Sequence, residues 1–199
     1  MSVENILSIY RMATPEEKRD GVVWYAQALA QCNRLAIDYE VPLSIVVGVV
    51  AALSPNNKWD RNIDNAFDMI KAYINGNDID SFKVSTYHAM KRKAWSILEA
   101  MPEDDDQIVS ILNGQKIISF FQNIMGYDTC TIDGHARNIA YAERVGLTGS
   151  ISIGKKEYAT LQQEYVEAGK KARVNGRALK AFEMQAITWV VWRRIHNIT

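Results

Sequence analysis

A chain of 199 residues, 48% of them apolar, has ample material for one mid-sized core or for two small lobes sharing one, and it reads as a single globular domain. Its 23 basic and 23 acidic residues cancel, which excludes a global field drawing it to nucleic acid or an acidic membrane. Any such binding must come from a local patch. The two cysteines, Cys32 and Cys130, exclude a cysteine metal cage or a disulfide framework and read as buried small apolar residues.

The N-terminus carries no basic segment followed by an apolar run. The longest apolar stretch, "VPLSIVVGVVAALSP", is too short to span a bilayer, so a cytoplasmic protein without a membrane partner is expected. Apolar residues recur at helical period in nearly every segment, and no pair of alternating runs is joined by an Asn-Gly or Asp-Gly turn. The fold class expected is therefore all-α, with eight or nine helices on short connections.

In chain order, "TPEEKRDGVVWYAQALAQCNRLAIDYE" begins with Thr14 as N-cap, Pro15 at the first helical position and Glu16 and Glu17 at the positive end of the dipole. Gly21 is placed as a break within it. "LSIVVGVVAALS" is apolar all round and is expected to be the central buried helix. "WDRNIDNAFDMIKAYING" follows, with Gly76 as its stop, and then "SFKVSTYHAMKRKAWSILEAM", ended by Pro102 and the acidic run after it. "DQIVSILNGQKIISFFQNIMG" predicts a short helix, a tight turn at Asn113-Gly114 and a second helix closed at Gly126, a helix-hairpin-helix shape over about residues 108–126. The next helix is expected from about Gly134 to Val145, stopped by Gly146, and two more follow in "GKKEYATLQQEYVEAGKKARV" and "LKAFEMQAITWVVWRRIHNI".

The chemistry centres on "TCTIDGHARNIAYAERVGL", residues 129–147. Asp133, before Gly134 and a helix, sits in a good N-cap context. The second reading of Asp133 is catalytic, because a tight backbone turn, a lysine and this carboxylate fall within about twenty residues.

The stretch "LNGQKIISFFQNIMGYDTCTIDGHARNIA" resembles the helix-hairpin-helix DNA glycosylases of the endonuclease III type. Those proteins place a Leu-Pro-Gly-x-Gly hairpin, a helix, a short apolar stretch and Val-Asp-x-His in the same order at nearly the same spacing. "VVAALSPNNKWDRNIDNA" looks like their buried helix ending in Leu-Ser-x-Gln, and "YHAMKRKAWSIL" like their Tyr-x-x-Lys-Ala helix. The resemblance covers about residues 45–196. It implies a two-lobed helical bundle with Asp133 as the catalytic carboxylate in the cleft between lobes. Lys116 then stands near the lysine that bifunctional members use as a nucleophile. The hairpin lacks the family's Pro and second Gly, and no four-cysteine iron–sulfur loop follows the last helix, so no cofactor and no metal are implied. The blocks "ALSP…W-x-R-N", "G-x-K", "T-I-D-x-H-A" and "Q-A-I-T-W-V-x-W-R" are also similar to small phage-type proteins related to enzymes that hypermodify thymine in phage DNA.

Each remaining candidate has two readings. Lys116 is a phosphate contact or a nucleophile, and only a lowered pKa makes a lysine the latter. His135 is a satisfied helix histidine, or it orients the carboxylate or meets a phosphate. Asn56 and Asn57 are turn residues, or they fill the hole left by a flipped base. Lys58, Trp59 and Arg61 border the same cleft or, for Trp59, pack in the core. Asn113, Gly114 and Arg137 complete the DNA-contact set. "KRK" at residues 91–93 and "GKK" at residues 154–156 read as solvated faces or, for one of them, as a contact to the DNA backbone, Trp189 and Trp192 as core, and Arg193 and Arg194 as suited to a helix C-terminus. The partner expected is duplex DNA with a modified or damaged base. The activity is base excision or transfer of a group onto a pyrimidine, and the alternative from another class is a non-catalytic DNA- or protein-binding module.

Overall fold

The computed structural model describes residues 2–146 and 152–198. Among them are ten α-helices and a single two-stranded hairpin, an all-α protein, and no helix is long and apolar enough to cross a membrane. The chain forms two compact units. The first comprises Met1–Ala26 and Gly126–Thr199, the second Gln27–Met125.

In the first unit, α1 (Ser2–Arg11) is an addition to the elements expected from sequence. It buries Ile6, Leu7 and Tyr10. α2 (Pro15–Tyr39) starts as its sequence predicts, with a reciprocal capping box: the Glu17 N–H donates to Thr14 Oγ1 at 3.1 Å and the Thr14 N–H to Glu17 Oε2 at 2.9 Å. The expected break at Gly21 does not occur, and the helix runs unbroken for 25 residues. Gly21 serves packing instead. A Cβ there would lie 2.4 Å from Ile187 Cγ1 and 2.9 Å from the Ile187 backbone, on α10 (Ala181–Ile195). Glu17 pairs with Arg194 at 2.7 Å and the Tyr25 hydroxyl donates to Gln185 at 3.2 Å, so the first half of α2 runs antiparallel along α10.

α8 (Gly134–Tyr141) and α9 (Lys155–Lys171) complete this unit, and Ile139, Leu161, Tyr165, Met184, Ile187 and Val191 meet at its centre. α8 ends earlier than Val145. Ala142 adopts a left-handed conformation (φ 53°), the Glu143 N–H returns to the Asn138 carbonyl at 2.9 Å, and the Asn138 amide holds the Val145 carbonyl at 2.8 Å.

A second correction is the hairpin of β1 (Arg173–Val174) and β2 (Arg177–Ala178), turned by Asn175 (φ 51°) and Gly176 (φ 81°). Two positive φ values in an Asn-Gly pair are what a tight hairpin turn needs, but strands of two residues show no alternation in sequence. Arg177 ties this hairpin to α10 by two bonds to Glu183, at 2.6 and 2.8 Å, and Glu183 also accepts from the Lys180 N–H at 2.9 Å. Burial pushes the Glu183 carboxyl up, but Arg177 and the Lys180 N–H outweigh it and hold it below the ordinary carboxylate value. A depressed folded pKa contributes stability that is present above the unfolded value and lost as pH falls through the folded one. Glu183→Gln is therefore expected to cost about 2 kcal/mol at neutral pH. It should also flatten the loss of stability on acidification below about pH 4, as read from urea midpoints across pH.

In the second unit, α3 (Leu43–Leu53) is the buried helix its composition predicts, with every residue from Ile45 to Leu53 inside. Around it stand α4 (Trp59–Ile74), α5 (His88–Ala100), α6 (Asp105–Leu112) and α7 (Gln115–Ile124). α6 and α7 are joined by two residues: Asn113, left-handed at φ 41°, and Gly114, extended at φ −168°. Gly126 (φ 91°) follows the end of α7.

Candidate functional site around Asp133

The stretch ahead of Asp133 belongs to no helix or sheet, so side chains satisfy its backbone. The Ile132 N–H donates to the Tyr158 hydroxyl at 3.0 Å, and the Gln162 amide donates to the Cys130 carbonyl at 2.8 Å and to Thr129 Oγ1 at 2.9 Å. Cys130, Thr131 and Ile132 are buried, which fixes where the chain emerges at Asp133. Asp133 is extended and half-buried, and its Oδ1 accepts from the Ala136 N–H at 2.8 Å, so it caps α8. Its Oδ2 makes no hydrogen bond among the described residues. Capping thus occupies one carboxylate oxygen and leaves the second available for chemistry.

Three buried polar groups feel the Asp133 charge: the Tyr25 phenol, the Cys130 thiol and the Tyr165 phenol. Tyr25 is buried, and burial, the Cys130 thiol and the Asp133 charge push its phenol far above its ordinary value against the opposing hydrogen bond to Thr131. Burial likewise raises the Cys130 thiol and the Tyr165 phenol, and Asp133 raises both further. The Tyr165 hydroxyl donates to the Ala136 carbonyl at 3.1 Å, inside the first turn of α8. These three groups therefore stay protonated at neutral pH and add no negative charge of their own.

His135, half-buried in the first turn of α8, meets the edge of Trp189 at 6.5 Å between ring centroids, and the Arg193 guanidinium lies 4.5 Å from the same indole ring. This corrects the reading of Trp189 as core: it is half-buried between an imidazole and a guanidinium, whereas Trp192 is buried as expected. Arg137 is committed to its own unit. It pairs with Glu157 at 2.8 Å and Glu143 at 3.4 Å and lies over the Tyr141 ring, so two carboxylates compete with any phosphate for it.

The other sequence candidates belong to the second unit. Asn56 is exposed in a left-handed conformation (φ 51°). The Asn57 amide donates to the Leu53 carbonyl at 3.2 Å and to Asn65 Oδ1 at 3.3 Å, a role in ending α3. Lys58 and Arg61 are exposed. Trp59 is partly packed, its indole N–H donating to Gln31 at 2.8 Å and its ring edge-on to Phe120, which brings the start of α4 against α7. Asn113 and Lys116 are exposed, Gly114 is half-buried, and no side chain caps α7, which begins at Gln115. The "KRK" run is not the solvated face expected: Lys91 is buried against the Phe82 ring and carbonyl, and Lys93 holds the Leu112 carbonyl at the end of α6. Burial lowers the Lys93 ammonium from its ordinary value. Lys155 and Lys156 are exposed at the start of α9.

Sequence reasoning did not select Tyr25, Tyr165, Gln185 or Trp189. The available signal was Gln185 and Thr188 inside the otherwise apolar "MQAITWVVW", since polar side chains on a buried helix need a partner. Among the described residues, no group of three or more His, Cys, Asp or Glu side chains is placed to hold a metal ion. No curated protein and no solved structure matches this chain. A family model does match, over residues 1–196, and by it the chain belongs to DUF7178, a family of unknown function.

Proposed function

We propose that the protein processes a base in DNA, in the manner of a glycosylase, with Asp133 as its reactive carboxylate. The observation that carries this reading is the division of labour in that side chain: Oδ1 is fixed in the cap of α8, and Oδ2 is left without a hydrogen bond among the described residues, near buried groups that resist ionisation. A glycosidic bond breaks through an oxocarbenium-like state, and an anion held rigidly beside the sugar stabilises the charge that develops. Trp189, half-buried beside His135 and Arg193, offers an aromatic surface on which an extruded base can stack. Lys116 and the start of α7, which no side chain caps, suit a phosphate.

The test is incubation with duplexes carrying damaged and modified bases, followed by mass analysis of bases and nucleosides. A released base supports excision, a nucleoside of increased mass supports group transfer, and no change in any duplex supports a non-catalytic module. Lys116→Ala is expected to weaken DNA binding and to reduce the slope of log affinity against log salt by about one contact, measured by fluorescence anisotropy. Borohydride trapping tests its bolder role: an adduct lost in Lys116→Ala makes the lysine a nucleophile.

A further inference from the structure

A cavity of about 330 Å³ opens in the first unit at the C-terminal end of α8, lined from α1, from residues 142–144 and from the last turn of α10. Asp133 caps the other end of this 8-residue helix, about 12 Å of helix away. The cavity is thus separate from the Asp133 carboxylate, and its ligand is tested by binding alone, without base chemistry. We propose that it binds a small anion with a flat aromatic part, a ring that carries a carboxylate directly or a phosphate through a sugar.

Three observations give that chemistry. Ile9, Ile139, Trp192 and Ile195 supply apolar walls, and the volume suits one small ring system. Arg144 carries the positive charge at its edge. Among the described residues its guanidinium makes one long bond, to the His196 carbonyl at 3.3 Å, and no ion pair, whereas the neighbouring Glu143 is already paired with Arg137. A guanidinium left in this state matches a carboxylate or phosphate in two-point geometry. His196, stacked edge-on to Trp192 at 4.0 Å, lines the same space, and its Nε2 is buried without a hydrogen-bond partner. Burial, Arg144 and His135 lower its pKa, so at neutral pH the imidazole is neutral and adds no second cation. A single cation above an apolar floor selects a singly anchored anion with a flat body over a polyanion.

Calorimetric titration of the whole chain with indole-3-carboxylate, thymidine 5′-monophosphate and inorganic phosphate tests this. One-to-one binding of either aromatic anion is expected, at least tenfold tighter than inorganic phosphate, with a shift of the His196 ring resonances. Which of the two binds tells an aromatic acid from a nucleotide. Arg144→Gln should weaken the interaction at least tenfold. Ser8→Trp, a change at an exposed position on the rim, should block it while the unfolding midpoint holds. Failure of both aromatic anions to bind overturns the proposal. So does equal binding by inorganic phosphate, which would mean that the apolar walls contribute nothing, or unchanged binding in both variants, which would place the ligand elsewhere.

Discussion

Gly21→Ala is expected to lower the unfolding midpoint by about 5–10 °C, although alanine is the better helix former. Two effects oppose each other. Replacing a mid-helix glycine gains roughly 0.5–1 kcal/mol through backbone entropy. Against that, the new methyl would lie 2.4 Å from Ile187 Cγ1 and 2.9 Å from both the Ile187 nitrogen and Cα. The side-chain atom can rotate away, but the backbone atoms cannot, so α2 and α10 must separate. Overpacking of this kind costs typically 1–3 kcal/mol and more where backbone is the obstacle. With backbone as the obstacle the cost lies at or above the top of that range, about 3–4 kcal/mol, and less the entropic gain it leaves a net loss of about 2–3 kcal/mol, at roughly 2–4 °C per kcal/mol for a chain of this size. The damage should reach Tyr25, one turn further along α2, whose hydroxyl bond to Gln185 and edge contact with Phe182 depend on the same approach. Gly154, where an added Cβ would meet nothing within 4 Å, is the control, and Gly154→Ala should stay within about 1 kcal/mol. A Gly21→Ala protein that unfolds at or above the parent midpoint would refute the close packing of these helices.

Gly21 also marks what is legible in sequence. The order of nine of the ten helices follows from local periodicity, and the caps at Thr14 and Asp133 follow from short-range chemistry, so these were readable, whereas α1 was not anticipated. Whether a mid-helix glycine breaks the helix or admits a neighbour depends on a residue 166 positions away, Ile187. The same holds for "KRK": a run of three cations reads as a wet surface, and only the positions of Phe82 and Leu112 turn Lys91 and Lys93 into ties for carbonyls. Trp189 and Trp192 lie on one apolar helix, and the local pattern cannot tell which of them faces His135. At the candidate site, the carboxylate and histidine were visible from their spacing. The buried groups near them were not, because Tyr25 and Tyr165 find their partners 160 and 29 residues away.

Asp133→Asn is expected to abolish base processing, by at least about 10²–10³-fold per folded molecule, while stability stays within about 1 kcal/mol. The two effects separate because the two oxygens have separate tasks. The asparagine carbonyl can take the place of Oδ1 and accept from the Ala136 N–H, so α8 keeps its cap. What is lost is the charge. An amide places a neutral, donating group where Oδ2 stood, and the buried groups nearby supply no replacement anion because burial keeps Tyr25, Cys130 and Tyr165 protonated. In the proposed reaction a developing oxocarbenium ion then faces only dipoles. Asp133→Ala should lose the same activity and, in addition, the cap, costing about 1 kcal/mol. Comparing these variants by thermal unfolding and by turnover of whichever duplex the parent processes decides the role. An asparagine variant that melts far earlier yet keeps its activity per folded molecule makes Asp133 a cap and nothing more. One that is both stable and fully active removes the carboxylate from the chemistry and leaves the non-catalytic binding module as the reading to pursue.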